Sequence, residues 1–500
     1  MLIARVRALL PRSLQTRITE VLASPIGGRL ARGAFWSLLG TTLSKVCSTI
    51  SWIIVGRMLG KESFGELNMV QSTVGLFGAA AGLGMGMAAA KYVAGYKKTD
   101  PDRAGRFIGL ASAATWVASI VLAIVLVLLA PWLARDTLGA PHLAPYLVLS
   151  SLLLLFSGIA GAQQGTLTGF ESFKAIASIN VIVGLSSFPM LLLGAIWGGV
   201  TGALWGLIAS AILNCILNYI HVRRQAACNH IKIRYKGCLS ESRVFWDFNT
   251  PGMLTTLVSA ASVWVVGAII VKYGDGFGDF GIFNAVQRMK LIPETIAAML
   301  LAPMIPVLSD THARDDKVGY TKTLIFSYTV STVVIIPISL LQIAMPWLTI
   351  LPYGKEFASG ETVVGWMMVS TITYALLWPI GNILISMGKL WLGLTIAIVQ
   401  YPIQLLATWY FVPRMGAAGA ALAVTLGLFV ACLTCIPLIR KSLMDVFHAV
   451  RWPQMALLTT VLILACWNAA QLGRPWIAAT IGVVSAMAYA LWRSRTMTAD

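Results

Sequence analysis

The sequence predicts an all-α polytopic membrane protein, and three observations carry that prediction. Charged residues fill 11% of the 500 positions, less than half the share of about 25% typical of soluble domains. Hydrophobic residues fill 58%. They come in runs of roughly twenty or more, the length a helix needs to cross about 30 Å of hydrocarbon. Such a chain cannot cover a water-facing surface, which excludes an ordinary cytosolic enzyme.

Residues 1–32 come first, a basic segment with Arg5, Arg7, Arg12 and Arg17 and no uninterrupted apolar core of a cleavable signal peptide. Leu2, Val6, Leu9 and Leu10 suit one face of a short interfacial helix. Apolar runs between charged or Pro/Gly breaks then mark about fourteen spans. They lie near 33–55, 67–94, 107–130, 145–167, 175–197, 200–221, 249–271, 281–308, 323–350, 361–387, 390–412, 417–439, 454–472 and 475–492. The pair at 175–221 is separated only by Gly198-Gly199. With the N-terminus in the cytoplasm, the inner segments hold 27 Lys and Arg and the outer loops 7. Lys and Arg collect on the cytoplasmic side of membrane proteins, so both termini are placed inside. The same rule accounts for most of the net charge of +18, and nucleic acid is not required as a partner. The loop with Arg223, Arg224, Lys232, Arg234 and Lys236 also suits anionic lipid contact, although charge retention alone explains it.

The chain carries an internal repeat. Phe64-Gly65, Asn68, Val70 and Gln71 recur as Phe280-Gly281, Asn284, Val286 and Gln287, an offset of 216. Upstream, Thr41-Thr42-Leu43 recurs as Thr255-Thr256-Leu257, and downstream Gly199, Gly202 and Ala203 recur as Gly416, Gly419 and Ala420. Six spans per copy, an even number, give both halves one orientation. The expected organisation is an N-lobe over 33–221, a basic inter-lobe loop over 222–248 and a C-lobe over 249–440. Spans 13 and 14 and a cytoplasmic tail follow over 441–500. Parallel repeats of this kind build secondary transporters with a site near mid-membrane.

Charge inside a bilayer is costly and marks function by default. At 100° per residue, Thr41, Ser44, Lys45, Ser48, Ser51 and Trp52 share one face of the first span. Asn68, Gln71, Ser72, Gly75, Gly78, Gly82 and Gly86 share one face of the second. Asn284, Gln287, Arg288, Glu294 and Thr295 do so in the eighth, with Lys290 at its edge and Pro293 placed to kink it. The small residues also suit helix packing, the amides can simply bond neighbouring helices, and Lys290 with Glu294 can neutralise each other at i, i+4. Three cations against one anion favour an anionic cargo such as phosphate. Lys45, Arg288, Lys290, Asn68, Gln71, Asn284 and Gln287 are therefore the expected substrate-binding residues, and Glu294 the expected ion-coupling group. No cofactor and no metal site are expected: there is no P-loop pattern, the five His are scattered, and the CxxC at Cys432 and Cys435 lies mid-span. The seven Cys read as reduced or buried. Asp100, Asp102, Asp315 and Asp316 read as solvated cytoplasmic faces rather than as the metal carboxylates of a glycosyltransferase.

The chain resembles the multidrug/oligosaccharidyl-lipid/polysaccharide exporter superfamily, and within it the Wzx-type flippases of bacterial polysaccharide synthesis. The residues that carry the resemblance are Gly33-Ala34-Phe35-Trp36, the run Val55 to Gly65, Gly281 to Ala285 with Pro303 and Pro306, and Tyr353 to Phe357. They spread over about residues 30–440. The resemblance implies an alternating-access carrier in the bacterial inner membrane, not an enzyme. Its cargo would be an oligosaccharide repeat unit on undecaprenyl pyrophosphate, moved to the periplasmic leaflet for exopolysaccharide or O-antigen synthesis. It further implies coupling to a proton or sodium gradient and a cationic cavity, mapped here onto Lys45 and Arg288. A polysaccharide polymerase and a chain-length regulator are candidate partners. The alternatives are a cation-coupled multidrug exporter and, in another class, a membrane glycosyltransferase or polymerase. The latter would need acids at the outer face, where Asp136, Asp275, Asp279, Glu356 and Glu361 are the candidates.

Overall fold

In the computed structural model the described residues are 25–82, 84–238, 250–301, 308, 311, 316–386, 390–449, 452–471 and 474–498. The basic N-terminal helix expected around Leu2 to Leu10 lies outside them, as do Pro303, Pro306, Asp315 and the side chains of Thr41 to Leu43. Described elements are helical throughout: α1 (Pro25–Gly82), α2 (Met85–Tyr96), α3 (Pro101–Trp132), α4 (Ala144–Gly169), α5 (Phe173–Cys228), α6 (Thr250–Tyr273), α7 (Phe277–Leu301), α8 (Lys317–Ala344), α9 (Pro346–Ile350), α10 (Glu361–Ser386), α11 (Leu390–Ala449), α12 (Trp452–Gln471) and α13 (Pro475–Thr498). Among the described residues, eight helical stretches are long and apolar enough to cross a membrane, and three of them hold glycine breaks. A helix satisfies its own backbone, which is why such segments tolerate hydrocarbon.

Three expected pairs of spans are continuous helices folded at glycine. α1 leaves helical geometry at Gly60. Twelve residues of straight helix extend about 18 Å, yet the rings of Trp52 and Phe64 lie 6.0 Å apart. The chain therefore doubles back at Gly60, and the loop expected over 56–66 is absent. The second expected span, 67–94, is not one helix: α1 ends at Gly82 and α2 begins after a left-handed Gly84. α5 breaks at Gly198-Gly199, the separation expected there, and α11 breaks at Gly416.

The repeat recurs in the backbone. Gly199 has φ 53° and ψ −130°, and Gly416, 217 positions on, has φ 54° and ψ −135°. A side chain strains such left-handed geometry. Where α1 meets α7 the contacts are reciprocal. A Cβ on Gly65 would fall 1.9 Å from the carbonyl oxygen of Phe277, and one on Gly281 would fall 2.1 Å from that of Lys61. Both pairs are related by the 216-residue offset. Only glycine lets two backbones approach this closely.

The helices before residue 230 and those after 250 meet chiefly through α1, which packs against α6 and α7. Within the first group α1 lies on α4 and α5; within the second, α10 lies on α8 and α11, and α12 and α13 lie against α8. One large core runs across the junction and includes Phe64, Leu67, Val70, Phe280, Phe283 and Tyr353.

Candidate functional site

Arg288 lies at the junction of the two groups. Three α-helical turns into α7 from Phe277, it projects between the two segments of α1. Its Nη2 donates to Asn68 Oδ1 at 2.8 Å and to Gln71 Oε1 at 3.3 Å. Its guanidinium stacks 3.7 Å above the ring of Trp52. All its partners are neutral, and no carboxylate pairs with it among the described residues. Nε is buried with no acceptor. A desolvated cation–π contact is worth about 2 kcal/mol and a hydrogen bond to a charged group about 1.5–3 kcal/mol. Those gains keep the ion in place against a burial cost of several kcal/mol.

The expected polar faces divide between two clusters. Asn68 and Gln71 join Arg288. Asn68, only 3% exposed, also donates from Nδ2 to the carbonyl of Phe64 at 2.7 Å. Its repeat mate Asn284 makes the matching bond to Phe280 at 2.9 Å. Gln287 is half-buried on the same helix. The second cluster gathers Lys45, Lys290, Glu294 and Thr295. Lys290 pairs with Glu294 at 3.6 Å, and the two side chains are 14% and 13% exposed. Lys45, exposed on α1, donates to Thr295 Oγ1 at 3.3 Å and lies within electrostatic range of Glu294. The self-neutralising i, i+4 pair is thus formed, with Lys45 close to the same carboxylate, and Arg288 is the cation of the two clusters without an adjoining acid among the described residues.

Two tyrosines complete the clusters that sequence reasoning missed. Tyr353, from the 3-10 turn Leu351–Tyr353, is 2% exposed and packs against Phe64 and Phe357. It lies within electrostatic reach of Arg288, and its hydroxyl is buried without a partner. Tyr374 on α10 sits under Lys290, with the ammonium 5.9 Å from the ring centroid. Tyr353 stood in the sequence only as part of the Tyr353 to Phe357 block, with no indication that it meets Arg288, and Tyr374 carries no signal because an aromatic residue in an apolar run reads as core.

The glycine face expected on the second span divides as well. Gly75 and Gly82 on α1 look onto open space, whereas Gly86 on α2 packs against Gly161 and Gly165 of α4. Two of the outer-face acids considered for glycosyl chemistry, Asp279 and Glu356, accept backbone amides at helix breaks. Asp279 accepts from the amide of Ala417 at 3.0 Å, just past the Gly416 break, and Glu356 accepts from the amide of Lys61, just past Gly60. On the opposite side Asp100 caps α3, Asp102 pairs with Arg234 at 3.1 Å and Asp316 caps α8. All seven Cys are free.

Residues 30–312 match the polysaccharide biosynthesis protein family, more than half of the chain. The chain belongs to this family. Among curated members of known proteins, the lipid III flippase of Escherichia coli (strain K12) is 22% identical over 413 residues, covering 79% of this chain and 94% of that protein. The fold is shared with a solved lipid II flippase MurJ in an inward closed conformation, with a TM-score of 0.70 at 14% identity over 92% of this chain and 99% of that one. It is shared too with an inward-facing multidrug resistance transporter of the MATE family in the MOP superfamily, with a TM-score of 0.63 at 13% identity, 83% of this chain and 99% of that one. The family member thus has the all-α membrane transporter fold of that superfamily, as the resemblance implied, and its relatives are flippases and transporters rather than enzymes.

Proposed function

We propose that the protein is a flippase for a lipid-linked oligosaccharide, an undecaprenyl-pyrophosphate-linked repeat unit carried from the cytoplasmic to the periplasmic leaflet of the inner membrane for exopolysaccharide or O-antigen synthesis. The observation that carries the reading is Arg288: a half-buried guanidinium with a buried Nε and neutral partners, set at the junction of the helix groups beside glycines open to space. Arg288 and Lys45 bind the pyrophosphate, with Lys290 beside them. Asn284 and Gln287 meet the polar sugars, while Asn68 and Gln71 act through Arg288. Family membership and the flippase relatives support this reading. Two lobes, 33–221 and 249–440, alternate access to the site, and both termini are cytoplasmic.

The physical problem is to move a diphosphate and a sugar chain through hydrocarbon. A charge at the bilayer centre costs about 3 to 17 kcal/mol depending on method. A hydrated cationic cavity lowers that barrier while the prenyl chain stays in lipid. Glu294, held between Lys290 and Lys45, is the group whose protonation couples transport to an ion gradient. A polymerase and a chain-length regulator would consume the product.

Deleting the gene tests the reading. Lipid-linked repeat units should accumulate on the inner leaflet and clear when the wild-type gene is restored. Absence of accumulation, with altered drug susceptibility instead, would establish the multidrug alternative.

A further inference from the structure

We infer that Asn68 and Gln71 are positioning residues that hold Arg288 as an internal latch between α1 and α7, and that a phosphate-bearing cargo must displace them to open the junction. The inference rests on the reading of Arg288 as the phosphate-binding group.

Asn68 is spent on protein contacts, its Oδ1 on Arg288 and its Nδ2 on the Phe64 carbonyl. A side chain 3% exposed with both polar atoms engaged offers nothing to a cargo in this state. A single nitrogen of Arg288, Nη2, serves both amides, while Nε stays buried without an acceptor. The guanidinium therefore holds more donor capacity than two neutral oxygens take up. A phosphate presents several charged acceptors and pairs with arginine in fork geometry, so it outcompetes amide oxygens.

Position decides the consequence. Arg288 lies seven residues, about 10 Å of helix, from Gly281, where α7 meets α1 in the reciprocal backbone contact with Lys61, Gly65 and Phe277. Trp52 belongs to the first segment of α1, Asn68 and Gln71 to the second, and the guanidinium ties both to α7. On the other side of the latch, away from the closed contact, Gly75 and Gly82 face open space. An anion arriving from that side meets Arg288 before the seam. Drawing the guanidinium off Asn68 and Gln71 removes two of the polar ties between α7 and α1 and leaves the bond from Lys45 to Thr295. A ligand shifts a conformational equilibrium only by its differential affinity for the two states, and this exchange of acceptors supplies the difference. The latch exists in one copy. The repeat mates Asn284 and Gln287 have no matching cation, because Ser72 stands where Arg288 stands in the second half.

Inorganic pyrophosphate is the probe, titrated calorimetrically into the purified full chain in nanodiscs. Latch and cargo compete for Arg288, so Gln71→Leu binds pyrophosphate at least threefold more tightly than wild type, and Gln71→Glu at least tenfold more weakly. Asn68→Ser should match Gln71→Leu in direction and serves if that variant fails to fold. A direct cargo contact predicts the opposite sign for Gln71→Leu. In parallel, spin labels at Glu62→Cys and Asp275→Cys, with the seven native cysteines replaced by serine, report the seam distance, which pyrophosphate should lengthen. Equal or weaker binding by Gln71→Leu, or Arg288-dependent binding with no lengthening, overturns the latch while leaving Arg288 as the phosphate site. Binding that survives Arg288→Ala overturns both.

Discussion

Replacing Arg288 by Met separates folding from transport. The substitution removes two charge-assisted hydrogen bonds, about 1.5–3 kcal/mol each, and a stacking contact of about 2 kcal/mol, so the gross loss is about 5–8 kcal/mol. It also removes a buried ion whose desolvation costs several kcal/mol and an unpartnered Nε worth about 1–3 kcal/mol. What remains unpaired is neutral: Asn68 Oδ1, which is buried, and Gln71 Oε1, which can turn toward space. The thioether chain keeps contact with the Trp52 ring. The net change should stay within about 2 kcal/mol, so the variant accumulates in the membrane and elutes as a single folded species. Transport should nevertheless be lost, because no other guanidinium among the described residues bonds Asn68 or Gln71. The assay is complementation of a deletion strain, reading lipid-linked repeat units on the inner leaflet and polymer at the surface. Wild-type export by a well-expressed Arg288→Met protein would refute the reasoning.

Further outcomes follow from the same geometry. Gly65→Ala or Gly281→Ala places a methyl about 2 Å from a backbone carbonyl; overpacking of this kind costs about 1–3 kcal/mol, and the seam should become more accessible to impermeant labels. Glu294→Gln leaves Lys290 without its carboxylate at 3.6 Å and should abolish the response of transport to an imposed ion gradient while leaving the fold intact, measured in vesicles with and without the gradient. Asp279→Ala removes the acceptor for the Ala417 amide; losing a cap costs about 1 kcal/mol, so thermal stability should fall by a few degrees with export retained.

Several features of this site were legible along the chain. Arg288, Lys290, Glu294 and Lys45 stand out because a charge in an apolar run is rare enough to notice singly. The pairing of Lys290 with Glu294 follows from i, i+4 spacing. Other features were not legible. Gly60 looked like part of an outer loop, since hydropathy cannot distinguish a loop from two helices that touch through a one-residue fold. The shared face of Asn68 and Gln71 was visible, but their bonds to Arg288 were not, because the sequence does not show which helix faces them. Tyr374 carried no signal because aromatic residues are ordinary in such runs, and the Tyr353 to Phe357 block did not show which helix Tyr353 would meet.

Composition and run length alone pointed to a chain that crosses a bilayer as helices, and the 216-residue offset alone pointed to a repeat, which recurs in the matching backbone of Gly199 and Gly416. These are properties that sum along the chain. The tertiary structure decided who meets whom: that Arg288 spends Nη2 on amides 217 and 220 positions away, that α1 and α7 touch through bare backbone at two glycines, and that three spans close on their neighbours without a loop. Such facts depend on the rotation and approach of packed helices, which no single stretch of sequence contains.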